Sequence, residues 1–214
     1  LADNPALTAA AQDGAVIPVY ILDDDHAGDH RMGGASRWWL HHALHALNDA
    51  LDGKLVVLQG DPATHLAALA AASGASSVHW NRCYEPWRIA RDTAIKADLT
   101  ARGLLVDSHN GSLLWEPWDV TKADGTPYRV FTPYFRRGCL SAPPPRQPLP
   151  VPSPLMLAAT DYQAVGIDGL RLLPDTGWDE MLAPHWQIGE AGATARLTAF
   201  IDQDLLGYKD GRNF

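Results

Sequence analysis

The segment Trp80–Asp92, WNRCYEPWRIARD, gathers side chains that could bind a polar ligand. It follows a short apolar run and opens a helix. Its candidate binding residues are Asn81, Arg82, Tyr84, Glu85 and Arg88. Ligands of parallel α/β domains bind outside the carboxyl ends of the strands, so this junction is a candidate site. The local alternative is that Glu85 and Pro86 simply start a helix, as such residues often do.

Two other groups contain the residue types of metal ligands. His41 and His45 lie one helical turn apart, and Asp23–Asp25 follow an apolar run. The histidines lack the glutamate of a zincin pattern, and such helix faces are usually solvated. Aspartates after a strand are more often loop openers. We therefore predict no metal site.

Motifs for catalysis are missing from the sequence. It contains no glycine-rich phosphate loop and no serine in a nucleophile elbow, and Cys83 has no evident base partner. The pattern indicates a ligand site without a catalytic apparatus.

Composition narrows the class of protein. The 214 residues carry a net charge of -8, which argues against a phosphate-tracking surface on this chain. Cys83 and Cys139 form no disulfide framework, which favours a reducing compartment. No apolar run approaches the roughly 18 residues of a membrane span, and no leader precedes the first helix. We expect a cytoplasmic protein that does not contact membranes.

Strands and helices that alternate must position the candidate site. Predicted strands cover residues 15–22, 54–60, 76–80 and 104–109. Predicted helices start at Pro5 after the cap Asn4, at Ser36 as a cap, at Asp61 and at Glu85. Their alternation predicts a parallel sheet with helices on both faces.

The helix after Ser36 has an apolar stripe, and the chain changes character further on. Leucines at helical spacing predict a core-facing side, and they are Leu40, Leu44, Leu47 and Leu51. Seven prolines between residues 143 and 154 predict a semi-rigid connector, and a last helix is expected over 190–206. We divide the chain into three segments, which are residues 1–130, 131–189 and 190–214.

Five stretches in order resemble one family, the DNA photolyases and cryptochromes. They are LADNPAL (1–7), LQGDP (58–62), WNRCYEP with ARD (80–92), YRVFTPYFRR (128–137), and GEAGATARLTAFI with GYKDGRNF (189–214). The fourth stretch, with the run YRVFTPYFR, is the most specific. Together the stretches cover essentially the whole chain.

The resemblance implies an α/β fold with a doubly wound parallel five-stranded Rossmann-like sheet, whose first strand is missing here. Residues 1–130 would form the antenna domain, 131–189 an interdomain linker, and 190–214 the first helix of a helical FAD-binding domain. The activity implied is light-driven repair of cyclobutane pyrimidine dimers by electron transfer from reduced FAD, a carbon–carbon lyase reaction. Damaged DNA would bind the absent C-terminal domain of a monomeric protein, so this part alone would be inactive.

The resemblance also implies site residues. Tyr208 matches a tyrosine that contacts the flavin phosphate. The implied antenna pocket consists of Asp23, Met32, Asn81, Arg82, Cys83, Glu85 and Arg88. Folate-using relatives carry an Asn-Glu pair where this chain has Trp87 and Arg88, and deazaflavin-using relatives carry a glutamate at the position of Glu85. The identity of the antenna chromophore thus stays open, and the alternatives are a folate, a deazaflavin and a flavin.

Two other functions are compatible with the same residues. One is a cryptochrome-like blue-light photoreceptor, because this part of the family does not separate repair from signalling. The other is a stand-alone nucleotide-binding or electron-transfer module with the same α/β architecture.

Overall fold

The computed structural model describes residues 1–212, so the last two residues of the predicted segment 190–214 lie outside the description. The strands are β1 (Val19–Leu22), β2 (Val56–Gln59), β3 (Ser77–Asn81) and β4 (Leu105–His109). The α-helices are α1 (Pro5–Asp13), α2 (Gly34–Ala50), α3 (Pro62–Ser73), α4 (Pro86–Ala101), α5 (Phe131–Pro133), α6 (Gly166–Gly169), α7 (Glu190–Ala199) and α8 (Tyr208–Gly211). Short 3-10 helices cover Gly28–His30, Cys139–Ser141, Trp178–Met181 and Ala183–His185, and π-helical turns cover Tyr134–Gly138 and Phe200–Asp204.

Local capping explains where two of the helices begin and end. The side chain of Asn4 accepts a hydrogen bond from the Leu7 N–H at 3.0 Å, which starts α1 as predicted. The Asp61 carboxylate accepts from the N–H groups of Ala63 and Thr64, both at 3.1 Å, and starts α3. Gly74 ends α3 at φ 67°, a left-handed conformation that glycine adopts without a steric penalty.

The predicted apolar stripe is confirmed at Leu44 and Leu51, which are 3% and 2% exposed, but helix α2 differs from the prediction at its start and at His41. It begins at Gly34 after Gly33, with no side-chain cap, so the prediction that Ser36 caps it is wrong. Its buried residues are Trp38, His41 and Leu44. His41 is only 8% exposed, so the prediction of a solvated histidine face fails for this residue.

The strands pair in parallel, which confirms the predicted α/β class. Strand β1 pairs with β2 from Val19↔Val56 to Leu22↔Gln59, and β3 pairs with β4 from Ser77↔Leu105 to Asn81↔His109. Within residues 1–212 these strands form two separate two-stranded sheets. The count of five strands stays a prediction.

The first compact unit consists of Leu1–Ala15 and Ser76–Met156. Helix α1 packs against β3 and β4, and α4 packs against β4. The proline-rich segment is held at its start and near its middle: the Trp115 indole donates to the Pro143 carbonyl at 2.9 Å, and the Asp3 N–H donates to the Leu149 carbonyl at 2.8 Å. These bonds fasten the predicted connector to its own unit.

The second unit consists of Val16–Ala75 and Leu157–Phe214, described as far as residue 212. Its core cluster contains Leu22, Leu44, Val57, Ile167, Leu170 and Leu172. The Val165 N–H donates to the Val57 carbonyl at 3.0 Å, beside β2. Part of the predicted linker 131–189 therefore packs into the α/β core of this unit, while the boundaries at 130 and 189 stay predictions.

Replacing Asp61 by alanine tests the cap of α3. Asp61→Ala removes the acceptor for two backbone N–H groups, so we expect the free energy of unfolding to fall by about 1 kcal/mol. The hydroxyl of Thr64 lowers the pKa of the Asp61 carboxyl. The folded form therefore prefers the carboxylate, and this stabilisation is present above an ordinary aspartate pKa of about 3.9 and is lost as the pH falls through the lower folded value.

Urea unfolding at neutral and acidic pH measures this difference. Asp175→Ala, at an exposed position of the same unit, is the matched control and should leave stability unchanged. An Asp61→Ala effect that persists undiminished at acidic pH would contradict the assignment.

Candidate functional site

The candidate site of the first unit lies where β3 ends. The Arg82 N–H donates to the His109 carbonyl at 2.8 Å, which extends the β3–β4 pairing by one residue. The guanidinium of Arg82 turns back along β4, where Nη1 donates to the Ser108 carbonyl and, at 3.1 Å, to Ser108 Oγ. The strand pairing thus determines the position of this cation.

A buried carboxylate neutralises the Arg82 cation. Glu116 is 6% exposed, and its Oε1 accepts from Arg82 Nε at 2.9 Å and from Nη2. The Tyr84 hydroxyl donates to Glu116 Oε2 at 2.8 Å, and the guanidinium lies 5.9 Å from the Trp118 ring centroid. Both oxygens of the buried carboxylate therefore have partners, as a buried charge requires.

The protonation of the cluster follows from this geometry. Burial by itself would lower the pKa of Arg82, but the hydrogen bonds to Glu116 and Tyr84 outweigh it and raise the pKa. Burial, and then the hydrogen bond to Glu116, raise the pKa of the Tyr84 hydroxyl. Arg82 therefore stays charged and Tyr84 stays a donor.

Sequence reasoning missed Glu116. Its only signal is an acidic residue between two tryptophans in LLWEPW, a segment without a regular hydrophobic period. Its partner Arg82 lies 34 positions earlier in the chain, so no local pattern joins them.

The start of α4 presents a second, more open cation. Arg88 Nη1 donates to Cys83 Sγ at 3.2 Å, and the guanidinium lies 5.0 Å from the Trp87 ring centroid. Arg88 Nε is buried and has no hydrogen-bond partner among residues 1–212, and Glu85 Oε2 lies 3.8 Å from it. The Glu85 side chain is 53% exposed. Arg88 and Glu85 therefore keep hydrogen-bonding groups for a ligand, whereas those of Arg82 and Glu116 are used within their own cluster.

The side chain of Asn81 makes its hydrogen bonds with residues at the start of α1. Its Nδ2 donates to Asn4 Oδ1 at 2.8 Å, and its Oδ1 accepts from the Ala6 N–H at 3.2 Å. A Cβ on Gly111 would lie 2.5 Å from Asn81 Cγ, so that position needs glycine. These contacts make Asn81 a residue that holds α1 against β3.

A hydrogen-bonded chain also ties α1 to both strands of this unit. His79 Nε2 lies 2.8 Å from Asp13 Oδ2, and His79 Nδ1 lies 3.2 Å from His109 Nε2. Burial and the neighbouring His79 lower the pKa of His109. The sequence analysis did not single out these residues, whose contact depends on strand register.

The remaining predicted site residues belong to the second unit. Asp23 is buried and accepts from the His26 N–H at 3.1 Å, with His26 Nδ1 3.0 Å from the same oxygen. Met32 packs against the core cluster. Tyr208 is 49% exposed and makes an edge contact with Phe200 at 5.7 Å between ring centroids. The predicted pocket residues are therefore divided between the two units, and their common role stays a prediction.

The side chains between the end of β3 and the start of α4 can bind a ligand. Arg88, Glu85 and the Trp87 ring offer a cation, a carboxylate and a flat aromatic surface within one turn of chain. Such a set suits a planar ligand with polar edges, because indole faces stack and charged groups fix the orientation. It does not contain a nucleophile paired with a base.

The comparisons with known proteins give the class of this α/β chain. The family model described as DNA photolyase matches residues 1–153, which is more than half of the chain. The chain belongs to the DNA photolyase family. This finding confirms the predicted resemblance.

Individual relatives include repair enzymes and photoreceptors. The deoxyribodipyrimidine photo-lyase of Agrobacterium fabrum is 40% identical, with 100% of this chain and 45% of the relative covered. Cryptochrome-1 of Arabidopsis thaliana is 35% identical, with 98% of this chain and 31% of the relative covered. The crystal structure of a bacterial class III photolyase from Agrobacterium tumefaciens matches at TM-score 0.91 and 40% identity, covering 100% of this chain and 45% of that one. The chain thus spans less than half the length of these relatives.

No helix within residues 1–212 has both the length and the apolar character needed to cross a bilayer.

Substitution of Glu116 tests whether the buried ion pair holds the first unit together. Glu116→Ala leaves Arg82 and Tyr84 without their buried acceptor, so we expect the free energy of unfolding to fall by about 2 to 3 kcal/mol. Glu85→Gln is the control from the same segment, and we expect a change of about 0 to 1 kcal/mol because that side chain is exposed. Denaturant unfolding of both variants measures the difference, and equal effects would refute the structural role of Glu116.

Proposed function

We propose that this chain is part of a deoxyribodipyrimidine photolyase, which repairs cyclobutane pyrimidine dimers in DNA with light. The observation that carries the proposal is the 40% identity to the Agrobacterium enzyme over 100% of the chain, together with the TM-score of 0.91 to a class III photolyase. In the proposed reaction, an electron from reduced FAD splits the dimer and returns to the flavin. The bonds broken are carbon–carbon bonds, which makes the enzyme a lyase.

The proposed division of labour follows the chemistry of the side chains. Residues 1–130 act as the antenna domain, 131–189 as the interdomain linker and 190–214 as the start of the FAD domain. The part described here has no nucleophile–base pair at its candidate site, and the chain has a net charge of -8. Both features support damaged DNA and FAD binding mainly elsewhere in a longer protein, so that this part alone is inactive.

The proposed antenna residues are those with unused binding capacity. Arg88 has a buried Nε without a hydrogen-bond partner within residues 1–212, and Glu85 has an exposed carboxylate. These groups fit the polar edges of a folate, deazaflavin or flavin, and Trp87 fits its plane. When bound, the chromophore absorbs light and passes the excitation to the flavin. Arg82 and Cys83 position the segment that carries Glu85 and Arg88.

The proposed FAD contact is Tyr208. Its side chain is 49% exposed, which leaves the phenol accessible to a phosphate group.

We further propose a monomeric cytoplasmic protein. The cytoplasmic location is consistent with free cysteines at Cys83 and Cys139.

A cryptochrome-like photoreceptor is the second candidate function. The observation that favours it is the 35% identity to Arabidopsis cryptochrome-1 over 98% of the chain. Both functions use a flavin and blue light, so they differ in what the excited flavin does.

Repair activity separates the two candidate functions. We expect the full-length protein to carry FAD and to split cyclobutane dimers in DNA back to pyrimidines under blue light but not in the dark. The measurement is loss of dimers from an oligonucleotide followed by chromatography. A folded, flavin-loaded protein without light-dependent repair would exclude the photolyase and support the photoreceptor.

The antenna proposal has its own test, which does not depend on repair. We expect full-length protein to release an antenna chromophore that mass spectrometry identifies, and Arg88→Ala to weaken its binding by about tenfold or more, the effect of one lost charge-assisted hydrogen bond. Arg102→Ala is the matched control, because Arg102 pairs with Asp98 at the other end of α4. FAD content should be unchanged in both variants. Equal chromophore retention in the two variants would remove Arg88 from the site.

A further inference from the structure

Two histidines of α2 meet a carboxylate that is distant in sequence. His41 and His45 are one helical turn apart, and their ring centroids lie 4.6 Å from each other. Leu44, between them, belongs to the same core cluster as Ile167 of α6. This packing brings Asp168 to α2, where its Oδ1 lies 3.6 Å from His45 Nε2. The cluster lies wholly within the second unit.

The environment of His41 requires an explanation. The residue is 8% exposed, and its Nδ1 has no hydrogen-bond partner among residues 1–212. Buried polar atoms of folded proteins almost always have a partner, so an unsatisfied ring nitrogen is costly.

We propose that His41, His45 and Asp168 bind a divalent transition-metal ion of the Zn²⁺ type. One ligand atom from each residue lies within 4.8 Å of the others. The pair His45 Nε2 and Asp168 Oδ1, at 3.6 Å, is close to the separation of about 3.3 Å that tetrahedral ligands adopt around zinc at bond lengths near 2.0 Å. Water completes the coordination.

Exposure allows the two outer ligands to adjust to the ion. The His45 side chain is 45% exposed and that of Asp168 is 88% exposed, so both can rotate towards the buried His41. Two imidazoles with one carboxylate favour zinc, copper or nickel over magnesium or calcium, which prefer oxygen ligands. The ion would join α2 to α6, two elements separated by more than a hundred residues in the chain.

Calorimetric titration of metal-free full-length protein with Zn²⁺ tests the site. We expect His45→Gln and Asp168→Asn each to weaken one class of Zn²⁺ binding by at least about tenfold, since loss of even an outer-shell partner weakens metal sites by about 10 to 100-fold. His42→Gln is the matched control, because His42 is the neighbour of His41 on α2 but lies outside the three-residue cluster. Its Zn²⁺ affinity should equal that of the wild type. His41 is left intact because a variant at a buried position could fail to fold.

Electron paramagnetic resonance with Cu²⁺ gives an independent readout. We expect nitrogen couplings from two imidazoles, reduced to one in His45→Gln and unchanged in His42→Gln. Zn²⁺ binding that survives both His45→Gln and Asp168→Asn overturns the proposal, as does equal weakening by His42→Gln. Absence of Zn²⁺ binding also overturns it and leaves His45 and Asp168 as a surface ion pair. None of these outcomes depends on flavin binding or repair, so the metal proposal and the proposed function can fail separately.

Discussion

Parallel strand pairing is the constraint on which the positions of the candidate groups depend. In the first unit, the pairing of Asn81 with His109 continues through the Arg82 N–H and places the Arg82 side chain beside Ser108. In the second unit, the pairing of Leu22 with Gln59 continues through the Gly60 N–H, which donates to the Leu22 carbonyl at 3.0 Å. Polar residues follow β1 and β3 directly in the sequence. Within each pair, the carboxyl ends of the parallel strands lie at the same edge of the sheet, where a ligand can bind.

The buried pair of Arg82 and Glu116 shows why charge alone does not identify a binding residue. The buried Glu116 carboxylate needs a cation, which the partly exposed Arg82 supplies, and it needs the Tyr84 hydroxyl to satisfy its second oxygen. Once these bonds form, the cluster has little capacity left for a ligand. Arg88 and Glu85 make fewer hydrogen bonds, and this difference is the physical basis for proposing them as ligand contacts.

Membership in the DNA photolyase family is consistent with a binding role for this part of the protein. An aromatic ring and two cations lie together at the start of α4, where the guanidiniums of Arg88 and Arg91 lie 5.0 Å and 5.1 Å from the Trp87 ring centroid. This arrangement can hold a planar chromophore, whereas bond cleavage requires a redox cofactor that the side chains themselves do not replace. The side chains at the start of α4 therefore have the chemistry of ligand binding.

The sequence by itself determined the class of fold, the family and the elements whose ends depend on nearby residues. Asn4, Asp61 and Gly74 act on backbone groups within a few positions, so their patterns were sufficient. The predicted start of α2 was wrong, because Ser36 lies inside the helix and makes no cap there. Only the tertiary structure buried His41, paired Arg82 with Glu116 and brought Asp168 to α2. These contacts join residues far apart in the chain, and they depend on packing and strand register that no local spacing records.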